Sequence, residues 1–414
     1  MKEKAFVVTV VEERKKDIWI AQDKAEEMRE LVSSTGCEIV GELIVKLKQP
    51  NPRYYLGKGK IEEIREKAHN AQSEVIIFSH DLSPAQQLNI EDEVGIKTID
   101  RTQLILDVFA HHARGSEGKL QVELAQLQYL LPRLKGKGIL LSRLGGGIGT
   151  RGPGEKKLEI DRRRIRKRID KLLQELQEIR KRRDALRKRR QSNEIPVVAL
   201  VGYTNAGKTT LLNRLTTANQ PSSNAMFTTL DPVSRIYYLS GRQKILLLDT
   251  VGFLNELPHH LIEAFKATLE EVCSANLVLH ILDVSHPLYK KRETAVYNVL
   301  KEIGAREIPV ITVVNKIDLL PAHRIESLKY NYPQAIFISA LKGWGIDELQ
   351  YRIKEFLADY ESWLQIYLPK DKIHLVKLLP EDKIVELCSK NGGLYLRARV
   401  NLATRERFYQ RLKG

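Results

Sequence analysis

A run of small residues closed by glycine and lysine, Gly202-Tyr203-Thr204-Asn205-Ala206-Gly207-Lys208-Thr209, constrains the fold more than any other segment of the chain. It follows an apolar stretch at 195–201 and leads into Thr210 and a leucine-bearing segment of helical character. Small residues let consecutive backbone N–H groups converge on a polyphosphate at the opening of a helix. The apolar run before the loop reads as the strand that feeds it, as in an α/β P-loop domain. Lys208 supplies positive charge for the β and γ oxygens, and the Thr209 hydroxyl is a ligand for Mg²⁺. Asn205 admits two readings: an oxygen offered to a monovalent cation such as K⁺ beside the phosphates, or a hydrogen bond internal to the loop.

Asn315-Lys316-Ile317-Asp318 then selects the base. A carboxylate at Asp318 can accept from both the ring N1–H and the exocyclic amine of guanine, which adenine cannot match, and an unpaired buried carboxylate is costly. After a strand at 336–339, the backbone of Ser339 and Ala340 is placed to meet guanine O6. Between these motifs the run at 244–248 ends in Asp249-Thr250-Val251-Gly252. There Asp249 holds Mg²⁺ through water and the Gly252 N–H senses the γ-phosphate. Phe227-Thr228-Thr229 opens a polar stretch where a threonine can reach the same ion; spacing alone does not choose between Thr228 and Thr229. The reading is a GTP-hydrolysing enzyme that exchanges GTP and GDP. Phe253 stands where the Ras class carries a water-orienting glutamine, so hydrolysis is expected to be slow without a partner.

The 414 residues allow several domains with ample core. No apolar stretch nears the roughly 18 residues of a membrane span, and the N-terminus lacks a signal-peptide pattern. Cys37, Cys273 and Cys388 are widely spaced with no metal-ligand pattern, which reads as reduced cytosolic thiols. The formal charge of +16 is concentrated: residues 161–190 hold 15 Lys/Arg against 5 Asp/Glu, and 15 − 5 gives +10. Within that run Ile165, Ile169, Leu172, Leu176, Ile179 and Leu186 keep a 4,3 spacing broken at Arg183, and Leu120, Leu124, Leu127, Leu131 and Leu134 repeat it upstream. Two such seams predict an antiparallel helical hairpin, roughly 45 Å long if thirty residues are helical. Its uniformly basic outer face suits nucleic acid, with Arg162, Arg163, Arg166 and Lys167 as candidate contacts.

The hairpin connector, 135–157, carries eight glycines between Gly136 and Gly154 with Arg143 and Arg151 interleaved. A long structureless loop is expected there, with Gly145, Gly146 and Gly147 giving the backbone close access to phosphates and the arginines giving charge and a stacking plane. Such a loop fits a probe that enters folded RNA. Before it, residues 1–115 alternate strand runs at 6–11, 39–45, 75–78 and 97–99 with helical stretches at 21–31, 60–71, 84–94 and 102–110, the pattern of βαβ units. Gly57-Lys58-Gly59-Lys60 reads as a helix-capping turn. Four domains follow: a parallel-sheet α/β domain at 1–115, the basic hairpin at 116–192, a P-loop GTPase domain at 193–364, and a small α/β domain at 365–414. In the last, strands at 373–379 and 394–400 flank a helix that starts at Glu381.

These motifs resemble the HflX GTPases, a ribosome-associated family of the translation-factor-like class. The resemblance rests on the phosphate loop, on Phe227-Thr228-Thr229-Leu230-Asp231-Pro232 and on Asp249-Thr250-Val251-Gly252-Phe253. It extends upstream to the segments at 103–110, 118–127 and the glycine-rich 145–155, and covers about residues 1–365. Two positions depart from it: Thr228, where the family usually has alanine, and Arg101, where an uncharged residue is more usual. The first leaves Thr229 as the matching switch residue, so the implied Mg²⁺ ligands are Thr209, Thr229 and Asp249 and the catalytic group is Lys208, Thr229 and Gly252. The resemblance implies a cytoplasmic, monomeric factor that binds the large ribosomal subunit and splits or rescues stalled ribosomes under stress. An assembly factor for the large subunit and a GTP-regulated RNA-remodelling protein are the alternatives.

Overall fold

The structure, a computed structural model, describes residues 2–12, 21–142, 153–192, 195–216, 227, 233–239, 243–254, 271–358, 361–379, 383–390 and 392–413. In the first unit β1 (Lys4–Glu12), β2 (Glu38–Leu47), β3 (Val75–Phe78) and β4 (Lys97–Ile99) form a parallel sheet in the order β2-β1-β3-β4. Parallel neighbours need crossovers, and α1 (Ala21–Ser34), α2 (Lys58–Asn70) and α3 (Pro84–Val94) supply them. Alternation along β1 feeds two cores: Ala5 and Val7 pack with Met28 and Leu31 on one face, while Phe6, Val8 and Val10 pack with Ile61 and Ile64 on the other. Helix α3 begins and ends where the sequence predicts, because Ser83 and Gln86 form a capping box and Gly95 closes it at φ 75°. The turn before α2 does serve as a cap, with Gly57 at the N-cap and Lys60 paired to Glu63 at 2.7 Å. Helix α4 (Arg101–His112), capped by Asp100, leaves the sheet toward the arm.

The arm consists of α5 (Ser116–Ser142) and α6 (Pro153–Ser192). Arg168 meets Glu123 and Arg183 meets Glu117, each at 2.6 Å, so position rises along one helix as it falls along the other and the pair is antiparallel. Leu124 and Leu172 are buried in the seam, and Ile165, Ile169, Leu176 and Ile179 are half-buried beside them. Two expectations change. The connector is shorter than 135–157, since α5 continues through Ser142 and α6 starts at Pro153. Glycine costs a helix only about 1 kcal/mol per residue, which a long packed helix absorbs, and proline is favoured at a first helical position. Forty residues of α6 also make the arm about 60 Å long rather than 45 Å. Arg183 interrupts the seam for a reason the spacing does not reveal: besides Glu117 it reaches Glu271 of the next unit at 3.5 Å.

That next unit is a six-stranded sheet of β5 (Val197–Gly202), β6 (Val233–Tyr238), β7 (Lys244–Asp249), β8 (Leu277–Asp283), β9 (Val310–Asn315) and β10 (Ile336–Phe337). Its order is β10-β9-β8-β5-β7-β6, with only β6 antiparallel among the described strands. Helices α7 (Lys208–Thr216), α8 (Tyr289–Glu302), α9 (Ala322–Asn331) and α10 (Ile346–Ala358) flank it. The last unit starts at Glu361, not 365, and is an antiparallel sheet of β11 (Glu361–Leu368), β12 (Ile384–Lys390) and β13 (Gly393–Asn401) in the order β11-β13-β12, backed by α11 (Leu402–Lys413). The strand expected at 373–379 is a 3-10 stretch, Lys370–Leu378, entered from Pro369. The helix expected from Glu381 is replaced by β12, whose backbone pairs with β13. An acidic start resembles a helix N-terminus locally, but a β-branched run beside an unpaired strand gains a ladder of hydrogen bonds.

Replacing Leu172 by alanine should cost the arm about 2–5 kcal/mol, because the residue is fully enclosed. Hydrogen exchange should show the loss in α5 and α6 while amides of the four-stranded sheet keep their protection.

A candidate GTP-binding site

The phosphate loop is held by its neighbours as well as by its own contacts. The Thr204 N–H donates to the Phe253 carbonyl at 2.9 Å and the Phe253 N–H to the Gly202 carbonyl at 3.1 Å, an isolated parallel bridge between Tyr203, one residue past β5, and Phe253, four past β7. Asn205 adopts φ 60° and Gly207 φ 95°, the left-handed turns that aim successive N–H groups into one hollow. At Gly207 a side chain would run into the Asn315 amide. Lys208 is 6 % exposed, and its Nζ donates to the carbonyls of Gly202 and Tyr203 at 3.1 and 2.9 Å. Burial brings its pKa down to about 8, against an opposing pull from Asp249. A Cβ on Gly252 would lie 2.8 Å from Thr204 Cγ2 and 3.2 Å from Lys208 Nζ, so the lysine tip and the Gly252 backbone sit side by side. Those are the two groups expected to face a γ-phosphate.

The Thr209 hydroxyl donates to Asp249 Oδ2 at 2.8 Å, and Asp249 is fully buried at the end of β7. A hydroxyl and a carboxylate converging on one point beside the loop are the hard oxygen donors that Mg²⁺ requires, so these residues fit the ion. Thr228 and Thr229 lie outside the described residues. Thr210 is half-buried on the first turn of α7. Thr250 and Val251 face the core instead of the hollow: the Thr250 hydroxyl donates to the Leu200 carbonyl at 2.8 Å, and Val251 is buried. Phe253, 1 % exposed, packs in the same core, so its ring brings no polar group to the phosphates.

On the base side, Asn315 works as a strut. Its amide donates to the Ala206 carbonyl at 2.8 Å, and its oxygen accepts the Ala340 N–H at 3.0 Å, which ties the phosphate loop to the loop after β10. Lys316 is left-handed at φ 64° and ion-paired to Asp283 at 2.8 Å. Asp318 follows on a 3-10 turn, Ile317–Leu319. Ser339 is fully buried, its hydroxyl accepting the Lys342 N–H at 3.1 Å. Arg214 of α7 clasps this loop through the carbonyls of Ala340 and Leu341. Sequence reasoning missed Arg214, because nothing local announces a side chain that reaches 126 residues ahead.

Tyr203 is in the loop, but its ring points out of it. The phenol donates to Glu27 of α1 at 2.5 Å, Glu27 also takes Arg101 of α4 at 2.6 Å, and the Arg292 guanidinium of α8 lies 4.8 Å from the tyrosine ring centroid. Phe227, from the switch segment, packs edge-on against Phe109 of α4 with ring centroids 4.5 Å apart. Arg101, a departure from the family pattern, is therefore one of the groups that join the two units. Of the expected RNA contacts, Arg163, Arg166 and Lys167 are exposed on α6 and Arg162 is half-buried, while Arg143, Gly145, Gly146, Gly147 and Arg151 lie outside the described residues.

Asp318→Ala should lower GTP affinity by about two orders of magnitude or more, since two hydrogen bonds to a charged acceptor are lost, without gain of ATP binding. Asn315→Ala should weaken GTP binding yet keep the preference for GTP over inosine triphosphate, which lacks the exocyclic amine, because it loosens the strut and not the base contact; Asp318→Ala should lose that preference, so competition between the two nucleotides separates the outcomes. A lysine that titrates near 8 when phosphates favour its ammonium form gives a second expectation. Affinity at pH 9 should be about tenfold below that at pH 7, and the dependence should vanish in Lys208→Ala.

Known proteins match this arrangement along the chain. The family profile described as GTP-binding GTPase N-terminal matches residues 22–110, GTP-binding GTPase Middle Region matches 112–190, and 50S ribosome-binding GTPase matches 197–316. The GTPase HflX of Caldanaerobacter subterraneus subsp. tengcongensis is 44% identical over 407 residues, covering 98% of this chain and 93% of that protein. The GTPase HflX of Escherichia coli (strain K12) is 41% identical over 391 residues, 92% of each. A solved GTP-binding protein, the SsGBP and GDP complex, is 27% identical with a TM-score of 0.49, covering 87% of this chain and 99% of that one. On these similarities the chain belongs to the HflX family of GTPases and is a GTP-hydrolysing enzyme.

Proposed function

We propose that this protein is a GTP switch for the large ribosomal subunit: in its GTP state it docks the basic arm into ribosomal RNA and splits or rescues stalled ribosomes. One observation carries the reading. The nucleotide pocket is wired into the elements that bear the arm, through Tyr203 to Glu27 and Arg101, through Phe227 to Phe109, and through Glu271 to Arg183. A change at the γ-phosphate position is thus felt where α4 meets α5. The profile over residues 197–316, described as 50S ribosome-binding GTPase, supports the same partner, and the exposed cations of α6 suit a phosphate backbone.

In this scheme Lys208 binds the β and γ oxygens and the Gly252 N–H marks the γ-phosphate. Thr209 and Asp249 would hold Mg²⁺, with Thr229 joining them; the ion, when bound, neutralises charge on the phosphate oxygens. The buried Phe253 cannot orient water, so the ribosome supplies the missing acceleration; the Asn205 side-chain oxygen would hold K⁺, which would add positive charge beside the phosphates. Loss of the γ-phosphate releases the switch segment and, with it, the packing on Phe109. The expected setting is the cytoplasm, and the chain acts as a monomer.

GTP turnover should rise well over tenfold with large subunits and further in potassium than in sodium buffer. Deleting residues 145–154 should abolish ribosome splitting in sedimentation profiles while GTP affinity is kept. Turnover indifferent to subunits would overturn the proposal, and association with precursor subunits alone, without splitting, would replace it by an assembly role.

A further inference from the structure

The C-terminal sheet has one face committed to its own core and another built unlike an ordinary solvent face. Leu364, Leu368, Leu396, Ala398 and Val400 are buried against Leu375 and Phe408. The opposite face follows from the register. Trp363 stands across from Arg399, Gln365 from Arg397, and Tyr367 from Tyr395, with Glu386 and Cys388 completing the rows on β12. Alternation puts all of these on the outer side.

Two details make this face a platform. The Arg397 guanidinium lies over the Trp363 ring, 4.4 Å from its centroid, with that of Arg399 at 6.0 Å. The indole is nevertheless 45 % exposed, so the ring that these cations flank remains partly open to solvent. Gly393 does the same for Tyr367: a Cβ there would come within 2.5 Å of the phenol Cζ and Oη, so the ring lies across the sheet where the glycine leaves room, again 45 % exposed. Trp363 and Tyr367 are four residues apart on one strand, about 13 Å, with arginine between them on β13. Residues 361–414 hold 11 Lys/Arg and 6 Asp/Glu, so 11 − 6 gives +5.

We propose that this face binds single-stranded RNA, with bases stacking on Trp363 and Tyr367 and with Arg397 and Arg399 meeting the intervening phosphates. Exposed aromatics interleaved with arginine on an antiparallel sheet are how sheet surfaces take unpaired bases, since every base has a π-face and the backbone is anionic. An apolar protein helix would leave the arginines desolvated, and duplex RNA offers no free base to stack. The inference stands apart from the GTP switch and from the arm, neither of which contributes a residue to it.

The test uses the full chain with Trp19→Phe and Trp344→Phe, so that Trp363 is its sole tryptophan. A twelve-nucleotide oligouridylate should quench Trp363 emission saturably, whatever guanine nucleotide is present. Tyr367→Ala and Arg397→Ala should each weaken binding roughly tenfold, and Tyr367→Phe should restore it. Circular dichroism matching the parent would show that the variants fold. No saturable quenching, equal quenching by a duplex RNA of the same length, or tighter binding of polyglutamate would each overturn the proposal. Because the readout is local to Trp363, failure here leaves the ribosome assays untouched, and failure there leaves this result intact.

Discussion

The contact between the Tyr203 phenol and the Glu27 carboxylate is the one on which the rest of this architecture depends. A phosphate loop normally answers only to its own domain. Here a residue inside it, held in place by the Phe253 backbone, donates to a nearly buried carboxylate on α1 that is shared with Arg101. Breaking one partner of such a group strands the others, so the arrangement resists partial change. Arg292 beneath the ring closes the circuit from α8. The loop cannot move against the first domain without disturbing two arginines and a glutamate.

Around that contact the apolar packing is continuous. Phe109 of α4 and Phe227 of the switch segment belong to one core together with Val201, Phe253 and Leu104. Packed cores resist smooth deformation, and this one spans two units. The arm is tied to it at both ends of its base, through α4 into α5 and through Arg183 to Glu271. The Arg183 interruption of an otherwise apolar seam thus has a structural reason, an ion pair to a second unit.

The nucleotide pocket was legible in the sequence because its chemistry is carried by contiguous residues. Lys208, Thr209, Asp249, Gly252 and Asn315 come together as their motifs imply. The first-domain strands and helices were legible for a related reason, since the two-residue alternation of β1 and the Ser83 capping box are local signals. The C-terminal unit was not. Its 3-10 stretch and β12 carry weak local preferences, and only pairing with β13 decides them. Arg214, Glu27 and Gly393 were invisible for the same reason: each acts on residues far away in the chain.

What the residues alone determined is the identity of the ligand and the presence of a long basic hairpin. The glycine- and lysine-bearing loop, the Asn315-Lys316-Ile317-Asp318 run and the 4,3 apolar seam are each written within a short stretch of chain. What only the tertiary structure decided is which units pack against the phosphate loop, and which face of the last sheet is left open. The first follows from side chains brought together across more than a hundred residues, such as Tyr203 and Glu27, and the second from the pairing of β11 with β13. Such pairings are set by burial and register in the folded core, and no local pattern encodes them.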